Sequence, residues 1–126
     1  MNMLSKYALI TGATSGIGYE LAKLFAADGY NLIIVSRNQK ELDNKTREFK
    51  QNGVECIGIA ADLFDPGNAF EVYEKVKTLN IPIEILVNDA GQGVYGQFSE
   101  TDIDRELDII DLNISSLVIL TKLFLN

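Results

Sequence analysis

Short, continuously apolar runs alternate with helical patterns along the whole chain. The first run stops at Thr11-Gly12, and apolar residues then recur at helical spacing up to Gly29, a typical helix-ending residue. The same alternation repeats three more times, and a long last helix is predicted to start near Thr101. The pattern predicts the order β-α-β-α-β-α-β-α within a single domain, residues 1–126. The predicted strands cover 7–10, 31–35, 54–59 and 83–87.

Strands that are apolar at nearly every position indicate a parallel sheet with helices on both faces. Right-handed crossovers then leave few topologies. We expect a three-layer α/β/α Rossmann fold with strand order 3-2-1-4 and its switch point between the first and fourth strands. A flavodoxin-like order, 2-1-3-4, is the competing interpretation, and it would suit a signalling domain.

Composition excludes several classes of function. The 126 residues carry 11 basic and 18 acidic side chains, and a net charge of −7 argues against a broad nucleic-acid-binding face. Without histidine there is no Ser-His-Asp triad, and with one cysteine there is no intrachain disulfide or cysteine-rich metal site. No apolar run approaches the ~18 residues of a membrane span, and residues 1–6 do not resemble a signal segment. We therefore expect a cytoplasmic protein with no metal, membrane or nucleic-acid partner.

A glycine-rich turn, residues 11–18, joins the first strand to the first helix. Gly12, Gly16 and Gly18 lie within seven residues of one another. Because glycine has no Cβ, a phosphate can approach the backbone closely, and the following helix offers unpaired N–H groups and a positive dipole end. The turn therefore predicts a nucleotide phosphate site. The alternative is a simple strand-to-helix turn.

Four motifs in this order resemble the short-chain dehydrogenase/reductase family. They are the Gly-x-x-x-Gly-x-Gly turn, Asp62-Leu63 after the third strand, Leu86-Val87-Asn88-Asp89-Ala90-Gly91 at the end of the fourth, and Asp111-Leu112-Asn113 in the last helix. Together they span the chain. The resemblance implies a nicotinamide-dependent oxidoreductase acting on a small-molecule carbonyl or alcohol, with a sheet that stops before the later strands of the family.

The resemblance also assigns roles to individual residues. Asp62 would accept a hydrogen bond from the adenine amino group, unless it is simply a solvated residue after a strand. Asn88 would hold the fourth strand to its neighbours. Asp89 stands where the family usually has a second asparagine, and we expect it to point away from the cofactor or to accept a backbone N–H. The residues expected to bind the cofactor are Gly12, Thr14, Ser15, Gly16, Ile17, Gly18, Ser36, Arg37, Asn38, Asp62, Leu63, Asn88, Ala90 and Gly91.

The end of the second strand predicts which cofactor is bound. An acidic residue there would bind the ribose 2′-hydroxyl of NAD and repel a 2′-phosphate. This chain has Ser36-Arg37-Asn38 instead, and the planar guanidinium of Arg37 suits a phosphate. We predict NADP, with NAD as the possible alternative. The alternative interpretation is that Arg37 is a surface residue that opens a helix.

Asn113 matches the family asparagine that holds a water in the proton path, and it is the candidate catalytic residue. The family's catalytic serine and Tyr-x-x-x-Lys pair would follow it, and no counterpart lies between Asn113 and the last residue. Tyr19 with Lys23, and Tyr73 with Lys77, have the same spacing but precede Asn113 on other predicted helices. Such i, i+4 pairs are common on helix surfaces, so we expect no catalytic role for either.

Two further expectations concern surfaces. Tyr95 and Phe98 follow the fourth strand and could border a substrate pocket or pack against the last helix. The last helix is apolar nearly all round, which predicts a homo-oligomer through this helix or through the edge of the fourth strand. Family members are about twice this length, so the chain could be a fragment, a truncated gene product or a non-catalytic module that binds nucleotide or oligomerises.

Overall fold

A computed structural model describes residues 6–93 and 95–125. Of the predicted domain, residues 1–5, Val94 and Asn126 lie outside the described residues. Strands and helices alternate as predicted, and the first helix ends at Ala27, close to the predicted Gly29. The elements are β1 (Tyr7–Thr11), α1 (Gly16–Ala27), β2 (Asn31–Ser36), α2 (Gln39–Gln51), β3 (Cys56–Ala60), α3 (Pro66–Thr78), β4 (Ile83–Asn88), α4 (Ile103–Ile110) and α5 (Ser116–Phe124).

The four strands form one parallel sheet in the order β3-β2-β1-β4. The predicted Rossmann order is confirmed, and the flavodoxin-like alternative is wrong. In the register of the sheet, Thr11 of β1 lies beside Val35 of β2 on one side and beside Asn88 of β4 on the other. Because the strands are parallel, the loops that follow them all leave from this one edge of the sheet.

Alternating side chains of the strands build two separate cores. Ala8, Ile10 and Leu32 are fully buried against α1 and α2 on one face of the sheet. Leu9 and Ile33 are equally buried on the other face, where α3 and α5 pack. The two-residue period of a strand sends neighbouring residues to opposite faces, so a sheet covered on both sides must be apolar at every position. This requirement explains the continuous apolar runs of the sequence.

The predicted long last helix differs from the structure in one respect. The helical segment is divided into α4 and α5 by a π-helical stretch, Asp111–Ser115, that contains Asn113. Asp102 caps the start of α4 by accepting a hydrogen bond from the Asp104 N–H at 3.3 Å. π segments are rare and are often found at functional sites. None of the described helices combines the length and apolar character that a membrane crossing requires.

Candidate functional site

A cavity of about 520 Å³ opens at the carboxyl edge of the sheet, between the loops that follow β1, β2, β3 and β4. Most of the residues expected to bind the cofactor line it. Gly18, Asn88 and Asn113 do not line it and lie nearby, in α1, β4 and the π segment respectively. The predicted site residues in the lining are Gly12, Thr14, Ser15, Gly16, Ile17, Ser36, Arg37, Asn38, Asp62, Leu63, Ala90 and Gly91.

The start of α1 faces this cavity without a side-chain cap. Ser15 is the N-cap residue, yet its side chain makes no capping hydrogen bond. By contrast, Asn38 accepts a hydrogen bond from the Glu41 N–H, and Asp65 accepts one from the Gly67 N–H, at the starts of α2 and α3. The first-turn N–H groups of α1 thus lack the side-chain acceptor that the next two helices have. An uncapped helix start is suited to an anion.

The glycines shape the turn for different reasons. Gly12 and Gly16 have positive φ angles of 68° and 59°, a region that glycine adopts at little cost. A Cβ on Gly16 would meet nothing within 4 Å, whereas a Cβ on Gly12 would lie 3.0 Å from the backbone N of Ala90. Gly18 is buried, and a Cβ there would lie only 2.2 Å from the backbone O of Gly12. Gly18 therefore lets α1 pack directly on the turn.

Thr11 fastens the end of β4 to the end of β1. Its buried Oγ1 accepts hydrogen bonds from the backbone N–H groups of Asp89, at 3.1 Å, and Ala90, at 3.0 Å. This contact holds the Asp89-Ala90-Gly91 loop over the glycine turn. Asp89 lines the cavity, and its Oδ2 lies 2.7 Å from the position of a Cβ on Gly18, which does not line it. The expectation that Asp89 points away from the cofactor or accepts a backbone N–H stays a prediction.

The end of β2 supplies hydroxyl and guanidinium groups. The hydroxyls of Thr14 and Ser36 lie 3.3 Å apart, and Arg37 is exposed and forms no ion pair within the described residues. Asn38 lines the same wall, although its side chain is used as the cap of α2. Sequence reasoning missed Glu41, which lines the cavity and accepts a hydrogen bond from Thr14 at 3.4 Å. Its position three residues after the Asn38 cap could have indicated this.

The loop after β3 provides an apolar and an acidic surface. Leu63 is almost fully buried beneath the cavity. Asp62 lines the cavity, and its Oδ1 accepts a hydrogen bond from the Phe64 N–H at 3.0 Å. Phe64 also lines the cavity and was missed from sequence, although an aromatic residue directly after Asp62-Leu63 was a usable signal. Among the described residues of the lining, one cation, Arg37, accompanies the carboxylates of Asp62 and two other acidic residues.

Asn88 and Asn113 do not line the cavity, and their side chains form hydrogen bonds that join neighbouring segments of the chain. The Asn88 amide donates to the hydroxyl of Thr121 in α5 at 3.0 Å, so the side chain joins β4 to a helix. The Asn113 amide holds the loop after β4 at two points: its Oδ1 accepts from the Gln92 N–H at 3.0 Å, and its Nδ2 donates to the Gln92 carbonyl at 2.7 Å. A Cβ on Gly91 would lie 3.1 Å from the Asn113 Oδ1, which explains the glycine there.

The two Tyr-x-x-x-Lys pairs are engaged outside the cavity. The Tyr19 hydroxyl donates to the Glu48 carboxylate, and this hydrogen bond raises the pKa of Tyr19. The Tyr73 ring packs edge-on against Phe124 at a centroid separation of 5.1 Å. Neither tyrosine lines the cavity.

The loop aromatics after β4 are solvent-facing. Tyr95 is 98% exposed and Phe98 is 84% exposed. Neither is packed against the last helix in the described part of the chain, and neither lines the cavity. The geometry therefore supports neither a substrate-pocket border nor packing against the last helix for Tyr95 and Phe98.

Comparison with known proteins agrees with this geometry. The family model described as short chain dehydrogenase matches residues 6–126. The oxidoreductase UcpA of Escherichia coli strain K12 is 36% identical over 121 residues, which is 95% of this chain and 45% of that protein. The chain thus spans less than half the length of this curated relative.

Two solved structures are similar in fold as well as in sequence. An alcohol dehydrogenase from Thermococcus sibiricus, complexed with 5-hydroxy-NADP, superposes with a TM-score of 0.90 at 30% identity, covering 96% of this chain and 52% of that one. L-sorbose reductase from Gluconobacter frateurii, complexed with NADPH and L-sorbose, has a TM-score of 0.87 at 30% identity, covering 94% and 45%. Both similarities extend over nearly all of this chain.

Proposed function

Because the chain belongs to the short-chain dehydrogenase family, we propose that it carries the NADP(H)-binding part of an oxidoreductase that transfers a hydride between nicotinamide and a carbonyl or alcohol substrate. One observation carries the proposal: the start of α1 has no side-chain cap and opens into the cavity at the edge of the sheet. A dinucleotide diphosphate satisfies such a helix start.

The diphosphate would lie over the glycine turn. Gly16 leaves the backbone open there, and the first-turn N–H groups of α1 would donate to the phosphate oxygens. Donors of this kind suit an anion because backbone N–H groups and the helix dipole supply positive potential without a charged side chain. This arrangement offsets the carboxylates of the lining.

The adenosine end would lie between the loops that follow β2 and β3. Leu63 supplies an apolar surface for the adenine ring, and Asp62 retains acceptor capacity beyond its single bond to the Phe64 N–H. Arg37 and the Ser36 hydroxyl favour a 2′-phosphate, since a guanidinium that forms no ion pair within the described residues is available as a strong phosphate donor. We therefore favour NADP(H) over NAD(H).

When bound, the nicotinamide supplies or accepts the hydride. The residues of this chain would bind and orient the dinucleotide. Asn113, within the π segment, makes one hydrogen bond from each end of its amide to Gln92, so the amide retains one donor and one acceptor for a water in the proton path. The side chain would also act as a positioning group for the loop over the cofactor.

We also infer self-association through one face of α4 and α5. Five apolar residues spaced by four and three positions are exposed there, and they form one stripe along the helices. A second copy of the chain would cover this stripe. The non-catalytic module is not favoured, because the matched relatives are oxidoreductases and reductases. The stripe residues are Ile103, Leu107, Ile110, Ile114 and Leu117.

The test compares NADPH and NADH binding by fluorescence titration in the unaltered protein and in Arg37→Ala. We expect tighter binding of NADPH, and a loss of roughly tenfold or more for NADPH with little change for NADH, because only NADPH carries the phosphate. Arg47→Ala is the control, since Arg47 lies on the exposed surface of α2 and bonds to Asn44. Equal losses for both dinucleotides in Arg37→Ala would contradict the assignment.

A further inference from the structure

The Phe64 ring lies beside two guanidinium groups from distant parts of the chain. The Arg37 Cζ is 5.1 Å from the centre of the ring, and the Arg105 Cζ is 5.2 Å from it. Both distances lie within the range of a cation–π contact. Arg37 follows β2 and lines the cavity, whereas Arg105 lies in the first turn of α4, so one aromatic ring connects a residue of the lining to the start of α4.

Phe64 is itself held firmly. Its ring is half-buried and packs against the core on the α3 and α5 face of the sheet. Its backbone N–H donates to the Asp62 carboxylate at 3.0 Å. A fixed ring restricts the rotamers of an exposed arginine that stacks on it, and a restricted arginine loses less entropy when it binds an anion.

The contact with the Phe64 ring also affects which ligands Arg37 can bind. The carboxylate of Glu41 lines the same cavity, yet no ion pair joins it to Arg37 within the described residues. A cation–π contact uses none of the N–H donors of a guanidinium, so those of Arg37 remain able to bind an anion. The ring therefore positions the Arg37 side chain while its N–H groups remain available to bind a phosphate.

Arg105 adds a second positive charge on the same ring. Its Nη2 donates to the side chain of Gln92, whose backbone is held on both sides by the Asn113 amide. A 2′-phosphate between the loops would attract both guanidinium groups and relieve their mutual repulsion. The two guanidinium groups therefore favour a ligand that carries a negatively charged phosphate over one that has a neutral ribose hydroxyl.

We propose that Phe64 is a specificity-determining positioning residue that holds Arg37 for the 2′-phosphate of an adenine dinucleotide, and that Arg105 supports the same ring with a second charge. The inference rests on the proposed NADP(H) function and adds a residue to it. It predicts that discrimination between NADPH and NADH depends on an aromatic ring at position 64.

The experiment measures dissociation constants for NADPH and NADH by fluorescence titration in Phe64→Leu, Phe64→Tyr and Arg37→Ala, and in the double variant of Phe64→Leu with Arg37→Ala. Phe64→Leu should weaken NADPH binding about five- to tenfold and NADH binding less than about twofold. Phe64→Tyr should retain the preference, since its ring stacks equally well. In the Arg37→Ala background, Phe64→Leu should add less than about twofold, because the two residues act together.

Phe70→Leu is the matched control, because Phe70 is an exposed residue of α3 outside the cavity. Circular dichroism and a thermal melt establish that each variant is folded. Equal losses for NADPH and NADH in Phe64→Leu, or an undiminished effect in the Arg37→Ala background, would overturn the inference and leave the proposed function standing. An unaltered protein that binds neither dinucleotide would overturn both.

Discussion

Replacing Gly18 with alanine is the most direct test of how the glycine turn works. The new Cβ would lie 2.2 Å from the backbone O of Gly12 and 2.7 Å from the Asp89 Oδ2. The Asp89 side chain can rotate away, but a backbone oxygen in a tight turn cannot. Gly18 has no positive φ angle, so the clash alone decides the outcome.

The geometry sets the size of the effect. An ordinary carbon–oxygen contact requires α1 to withdraw from β1 by about 1 Å, and such overpacking costs about 1–3 kcal/mol. Alanine recovers up to about 1 kcal/mol of that through its helix propensity. We expect a net loss of about 1–2 kcal/mol in the free energy of unfolding.

Gly18→Ala should also weaken cofactor binding. The same withdrawal of about 1 Å would move the first-turn N–H groups out of hydrogen-bond range of a diphosphate. Hydrogen bonds to charged groups contribute about 1.5–3 kcal/mol each, so NADPH affinity should fall at least about tenfold.

Urea unfolding and NADPH titration measure the two effects. Gly53→Ala is the control, because Gly53 has a φ angle of 93° with nothing within 4 Å of a new Cβ, and it lies after α2, outside the cavity. It should lose about 1–2 kcal/mol from backbone strain while binding NADPH normally. If Gly18→Ala matches the unaltered protein in stability and affinity, or loses no more affinity than Gly53→Ala, the clash argument is refuted.

Three other predictions concern charge, burial and surface. Glu41→Gln should raise NADPH affinity about threefold without helping NADH, because it removes a carboxylate from the phosphate-binding wall; unchanged titrations would contradict this. Burial raises the pKa of Cys56 to about 11, so its thiol stays neutral until the pH approaches that value. A thiol reagent at about pH 8 should label the folded protein at least about 100-fold more slowly than the urea-unfolded one, and equal rates would refute the burial argument. Ile110→Asp should convert a self-associated species into a monomer in light scattering, and a monomeric unaltered protein would exclude association through the stripe.

Much of the fold could be predicted from local patterns. Continuous apolar runs marked the buried strands, and the Asp65-Pro66 start of α3 and the positive-φ Gly29 after α1 marked helix ends. The glycine spacing predicted the cavity wall at the start of α1. These features depend on the conformational preferences of a few neighbouring residues, which the sequence displays directly.

The alternation of strands and helices, the two-sided burial of the sheet and the position of the glycine-rich turn all follow from the sequence. Each depends on short-range periodicity and backbone sterics. The tertiary structure decided which strands lie side by side, since both candidate orders satisfy the same local pattern. It also decided the shared contact of Arg37 and Arg105 with Phe64, and the hold of Asn113 on the loop after β4. Residues far apart in sequence meet there only because parallel strands and their crossovers bring every following loop to one edge of the sheet.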